Sequence, residues 1–138
     1  MSERSNPLTV RVYWEDTDAG GVVFYANYLK FFERARTEWL RAVGIEQTTL
    51  KAETGVIFVV AEVHLRYLSA AKLDNLLTIT VKVLEPGAAS MELEQQAWRG
   101  DTLLAEGRVR VGCVDGATLR PKRIPRQVVD ALEDPGLT

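Results

Sequence analysis

Apolar and polar residues alternate through the first patterned stretch of the chain, with Leu8, Val10, Val12 and Trp14 set against Thr9, Arg11 and Tyr13. A period of two marks a strand with one buried face. After Gly20 and Gly21 the period changes. With successive residues about 100° apart, Tyr28, Phe32, Ala35, Trp39, Ala42 and Val43 share one stripe, with Phe31 and Leu40 at its margins. Lys30, Arg34, Thr37, Glu38 and Arg41 fall opposite. The pattern predicts a long amphipathic helix that starts between Phe24 and Asn27 and stops at Gly44. Arg36 lies inside the apolar arc, and Glu33, three residues before it, is the expected ion-pair partner for a buried arginine.

From residue 56 onward the pattern is strand-like. Val59, Ala61, Val63, Leu65 and Tyr67 define one face of a strand, and Leu77, Ile79, Val81 and Val83 that of another. "SMELEQQAW" and "LLAEGRVRVGCV" follow, with "EPGAA" and "RGD" as turns or hairpin connections. A short helix is expected from Arg126 to Leu132, after "RPKRIP". One strand, one long helix and four closely connected strands predict an α+β fold, with a mostly antiparallel sheet of about five strands packed on one helix.

Length and composition narrow the function. The 138 residues suit one domain, 1–138, with 46% apolar and 26% charged residues. A net charge of −2 gives no global reason to expect nucleic acid. The opening "MSERSNPLTV" has no apolar h-region, and no run of about 18 apolar residues exists to span a membrane. The single cysteine, Cys113, and single histidine, His64, argue against an internal disulfide and against a protein-only zinc site. The cytoplasm is the expected compartment, with no metal and no cofactor.

The chemically suggestive stretch is "WEDTDAGGVVFYANY". Asp16 and Asp18 fit turn or helix-cap roles, because an aspartate oxygen accepts backbone N–H bonds. Asp-x-Asp after a strand also occurs in enzymes that form an aspartyl-phosphate. Those need an alternating β/α core, which the strand-rich remainder does not supply. A third reading places one carboxylate against a polarised carbonyl. Gly20 and Gly21 let the backbone approach a ligand, and the helix start offers free N–H groups.

The stretch "RVYWEDTDAGGVVFYANYLKFFERARTEWL" resembles the signature of the 4-hydroxybenzoyl-CoA thioesterase family, most of all its branch of small acyl-CoA thioesterases associated with the bacterial Tol–Pal system. The likeness is specific over residues 10–41 and continues more loosely through "FVVAEVHLRYLSAAKLDNLLTI" and "VRVGCVDGATLRPKRIP". It implies the hotdog fold, a homodimer or homotetramer with active sites between subunits, and an acyl-CoA substrate. It puts the catalytic carboxylate on Asp18, as nucleophile or general base, and the donor to the thioester carbonyl on the Tyr25 backbone N–H. Asp16 is left structural. Tyr25 stands where many members of that branch carry a histidine. "EPGAAS" lacks the basic residues that hydroxybenzoyl-type members direct at the CoA phosphates, so Arg120, Lys122 and Arg123, with Arg66 or Lys72 as further candidates, are the expected source of positive charge.

Two other functions fit the resemblance. A hotdog hydratase or dehydratase would need a histidine with an acid, and His64 is read instead as a sheet-surface or interface residue. A binding module for acyl carrier protein or lipid-synthesis partners, with weak hydrolysis, would use the basic run 120–123. Cys113 is expected to be a buried small hydrophobe, and Trp14, Trp39 and Trp98 core or interface anchors.

Overall fold

The computed structural model describes residues 7–132; residues 1–6, which include most of the polar opening stretch, lie outside them. Strand β1 (Leu8–Arg11) leads through a short 3-10 turn (Trp14–Asp16) to helix α1 (Asn27–Ala42) and helix α2 (Gln47–Thr54). Four strands follow, β2 (Val56–Tyr67), β3 (Leu76–Pro86), β4 (Ser90–Arg99) and β5 (Thr102–Asp115), before helix α3 (Arg126–Leu132). The strands form one sheet in the order β1-β3-β4-β5-β2, and each neighbouring pair is antiparallel. The expected α+β arrangement of five antiparallel strands on one long helix is therefore present.

The inner face of the sheet follows the period of two. Leu77, Ile79 and Val81 of β3, Met91 and Leu93 of β4, and Val109 and Val111 of β5 are all buried. Against them α1 lays Tyr28, Phe31, Phe32, Ala35, Trp39 and Leu40. Phe31 and Leu40 are fully inside the stripe rather than at its margin, whereas Ala42 is exposed. The contact surface is thus wider toward residue 31 than a single 100° stripe allows, because the curled sheet embraces the helix. Truncating Trp39 or Phe32 would cost about 3–5 kcal/mol each. At Gly107 a Cβ would come within 2.9 Å of the His64 carbonyl oxygen and 3.2 Å of the Phe32 ring. The bare backbone there lets α1 sit close on β5.

Three expectations are corrected. Trp14 does not continue the β1 alternation: it is 79% exposed, because the strand ends at Arg11 and the chain winds into the 3-10 turn. In β2 the register slips between Val60 and Glu62. This bulge inserts Ala61, so Phe58 joins Val63 and Leu65 on the core side while Val59 and Val60 turn toward solvent. The Arg36 guanidinium does not rest on Glu33 through a hydrogen bond. Its Nη1 donates to Gln95 Oε1 at 2.9 Å, while a Glu33 oxygen accepts the Thr37 hydroxyl at 2.8 Å. Gln95 is fully buried, and its amide donates in turn to the Phe32 carbonyl at 2.9 Å. Burial pushes the Arg36 pKa down, and the negative charge of Glu33 opposes that shift.

Helix α2 was not anticipated. Its hydrophobic stripe is short, with Leu50 its buried residue, and Gly55 ends it in the left-handed conformation at φ 78°. Helix α3 has the expected bounds and buries Val128 and Leu132. Cys113 is buried in β5 as expected, and burial raises its thiol pKa.

Candidate active site

The two aspartates have different surroundings. Asp16 is buried, and both of its carboxylate oxygens are occupied: Oδ2 accepts the Tyr13 N–H at 2.8 Å and Oδ1 the Asn27 amide at 2.9 Å. Its carbonyl accepts the Phe24 N–H at 2.9 Å. Asp16 therefore clamps the 3-10 turn to the first residue of α1, a structural duty. Removing one such partner would strand a buried donor at a cost of about 1–3 kcal/mol.

Asp18 is exposed at the head of a tight turn closed by its N–H to the Val22 carbonyl (2.9 Å) and the Gly21 N–H to its own carbonyl (3.0 Å). Its Oδ1 accepts the Gly20 N–H at 2.8 Å and, at 3.4 Å, that of Val22. Among the described residues no donor reaches Oδ2. Gly21 sits at φ 81°, a region that side chains disfavour, and a Cβ on Gly20 would stand 3.2 Å from Asp18 Oδ1. The glycines thus shape the turn that holds the carboxylate, a role more definite than the expected close approach to a ligand.

After the turn the chain is pinned to the loop behind β2. Val23 donates to the Ala71 carbonyl at 2.8 Å, and Val22 bridges Lys72. Lys72 is in this way brought to the Asp18 turn. Tyr25 and Ala26 then precede α1, and their backbone N–H groups reach no acceptor among the described residues. Such free donors at a helix start, with the positive end of the helix dipole behind them, suit a developing negative charge. The first turn of α1 carries no acidic side chain to compete for it.

Tyr67, the last residue of β2, donates its hydroxyl to the Tyr25 carbonyl at 2.8 Å. Desolvation first, and then the neighbouring Tyr25, raise the Tyr67 pKa. The Phe24 and Tyr25 rings lie 4.8 Å apart, and Tyr67 meets Tyr28 at 5.6 Å. Tyr25 is 64% exposed, so together with Trp14 and Phe24 it leaves an aromatic surface open beside Asp18. Sequence reasoning missed Asn27 and Tyr67 as supports of this site. Asn27 had a local signal, as a polar residue at the head of an apolar stripe; Tyr67 had none.

Of the basic candidates, Lys72 is brought to this turn, whereas the run 120–123 is not within one chain. Tyr67 pairs with Ala105 and Val56 with Asp115, so the two ends of the β2–β5 ladder are separated by eleven residues, roughly 36 Å measured along the strand. Lys122 lies at the far end, where its ammonium donates to the Thr54 carbonyl at 2.8 Å and stands 4.0 Å from Asp115. Backbone N–H bonds from Thr118 and Ala117 hold Asp115 below the usual carboxylate range. Arg120 and Arg123 are exposed on the same segment. Arg66 pairs with Glu106 at 3.0 Å. His64 lies on the solvent side of β2 with Glu62 3.9 Å away, and neither of them belongs to the Asp18 turn. Cavities of about 280 and 360 Å³ lie elsewhere, one between α1 and β2 and one around His64.

A family model described as the thioesterase-like superfamily matches residues 12–132. The chain is 47% identical over 132 residues to the acyl-CoA thioesterase YbgC of Haemophilus influenzae, covering 96% of this chain and 97% of that protein. It is 43% identical over 121 residues to the acyl-CoA thioester hydrolase YbgC of Escherichia coli, covering 87% and 90%. The crystal structure of a probable thioesterase from Bartonella henselae superposes with a TM-score of 0.81 at 35% identity, over 86% of this chain and 98% of that one.

Proposed function

The chain belongs to the thioesterase-like superfamily, and from that premise we propose that it hydrolyses acyl-CoA thioesters with Asp18 as its catalytic carboxylate. It is a thioester hydrolase of the hotdog fold. The observation that carries the assignment to Asp18 is the division of its oxygens. Oδ1 is spent on the turn, while Oδ2 is available at the same end of α1 as the Tyr25 and Ala26 N–H groups.

Two routes use this geometry. As a nucleophile, Oδ2 bonds to the thioester carbonyl carbon, the C–S bond breaks, and CoA departs as a thiolate that takes a proton from solvent. Water then hydrolyses the acyl-aspartyl anhydride and regenerates the carboxylate. As a general base, Asp18 accepts a proton from the water that attacks the same carbon. Both routes convert acyl-CoA and water to a carboxylic acid and CoA. A thiolate leaves readily, so no general acid is required. In either route the charge that develops on the carbonyl oxygen meets the Tyr25 N–H at the positive end of α1.

An open aromatic surface at Asp18, with the basic segment 120–123 at the opposite end of β2 in the same chain, supports a site completed by a second copy. A homodimer or homotetramer, a single domain over 1–138, a cytoplasmic setting, and acyl carrier protein as a second thioester carrier belong to the same proposal. Free-thiol release from short-chain, long-chain and aromatic acyl-CoAs tests it. Hydrolysis of at least one class, in excess of a buffer control, is expected; inertness toward all three contradicts the reading.

A further inference from the structure

The loop between β2 and β3, residues 68–75, is held from several sides. From β5, the Leu104 carbonyl accepts the Leu68 and Ser69 N–H groups. From β1 and the residue after it, the Val12 N–H donates to the Asn75 carbonyl at 2.9 Å, and Arg11 Nη1 donates to the Asp74 carbonyl at 2.7 Å. Asp74 sits at φ 70°, a conformation that side chains disfavour, so the loop keeps its shape only while such contacts hold it.

Arg99, the last residue of β4, closes the loop from the remaining side. Its Nη1 donates to the Ala70 carbonyl at 3.0 Å and to Asn75 Oδ1 at 3.1 Å, so one nitrogen spends both of its hydrogens on the two ends of the loop. Asn75 Oδ1 also accepts the Lys72 N–H at 2.8 Å, and the Asn75 N–H returns to the Lys72 carbonyl at 3.1 Å. Arg99 is half-buried and pairs with no carboxylate among the described residues. An arginine at a hairpin end is ordinarily a solvated surface cation. This one is engaged by neutral oxygens of a single loop.

That loop carries the Asp18 turn. The Ala71 carbonyl accepts the Val23 N–H at 2.8 Å, and Lys72 bridges Val22. Val22 accepts the Asp18 N–H at 2.9 Å and directs its own N–H at Asp18 Oδ1. Ala71 is fully buried and also meets the start of α1, where its N–H bonds the Tyr28 hydroxyl. Burial raises the Tyr28 pKa, and that N–H and, less strongly, the Arg99 charge oppose the rise. One loop therefore registers both the catalytic turn and the head of the helix.

We propose that Arg99 is a positioning residue for thioester hydrolysis: by bracketing Ala70 and Asn75 it fixes the loop that sets the Asp18 turn against the start of α1. Arg99 acts through that loop and touches no reacting atom. The inference rests on Asp18 being the catalytic carboxylate.

Steady-state hydrolysis of one acyl-CoA by Arg99→Gln tests it, with amide hydrogen exchange at Val23 as a readout independent of turnover. A kcat lowered about tenfold to a hundredfold is expected, the scale of a reacting group misplaced by up to about 1 Å, with KM nearly unchanged. Exchange at Val23 should be faster. Arg99→Lys, whose ammonium can still donate to both oxygens, should recover most of the lost kcat. A residue that served stability alone would lower the unfolding midpoint and leave kcat unchanged below it. Where Arg99→Gln folds poorly by circular dichroism, Asn75→Ala takes its place; it removes the oxygen shared by Arg99 and Lys72, and the same direction is expected. Unchanged kcat in either folded variant, a raised KM at constant kcat, or unchanged Val23 exchange overturns the proposal. Near-normal hydrolysis by folded Asp18→Asn defeats the reading beneath it. A loss of about a hundredfold there, with unchanged kcat in folded Arg99→Gln, defeats this inference alone.

Discussion

The hydroxyl of Tyr67 donates to the carbonyl oxygen of Tyr25 at 2.8 Å, which ties the end of β2 to the peptide that leads into α1. That peptide carries the Ala26 N–H, next to the Tyr25 N–H assigned to the oxyanion. Tyr67 touches no reacting atom in this account; it is a positioning residue.

Tyr67→Phe removes the hydroxyl and keeps the ring contacts with Tyr25 and Tyr28. The expected result is a kcat lowered by about threefold to tenfold, the scale of one neutral hydrogen bond, with KM nearly unchanged. Steady-state hydrolysis of one acyl-CoA checks it. A KM rise at constant kcat would instead make Tyr67 a substrate-binding residue.

Asp16 and Asp18 should separate cleanly. Asp16→Asn places an amide where both oxygens accept buried N–H donors, and is expected to lower unfolding stability by about 1–3 kcal/mol. Urea unfolding monitored by circular dichroism measures it. Asp18 is exposed, so its replacement should leave the unfolding midpoint within experimental error.

Gly107→Ala tests how α1 is seated. The new Cβ would crowd the His64 carbonyl and the Phe32 ring, and backbone cannot yield as a flexible side chain does. A loss of about 1–3 kcal/mol is expected, read by the same unfolding measurement. An unchanged midpoint would show that the sheet relaxes around it.

What the sequence made legible was local and periodic. α1, α3 and the clean alternation of β3 follow from neighbours a few residues apart, and they emerge with nearly the expected bounds. The errors arise where a long-range contact decides. The partner of Arg36 is Gln95, 59 residues away, rather than the adjacent Glu33. Ala61 reads as one more inward residue until β5 imposes the bulge. At the site, Asp18 and Tyr25 came from a signature in one continuous stretch, whereas Tyr67 comes from 42 residues beyond Tyr25. The basic run looked suitable by charge alone, and only the sheet register reveals that it lies at the opposite end of β2.

The most direct test of the central claim is free-thiol release by the protein and by Asp18→Asn on the same acyl-CoA. A fall in kcat of about a hundredfold or more is expected, the scale of a lost positioned base or nucleophile, with unfolding stability unchanged. Near-normal hydrolysis by folded Asp18→Asn would contradict the account.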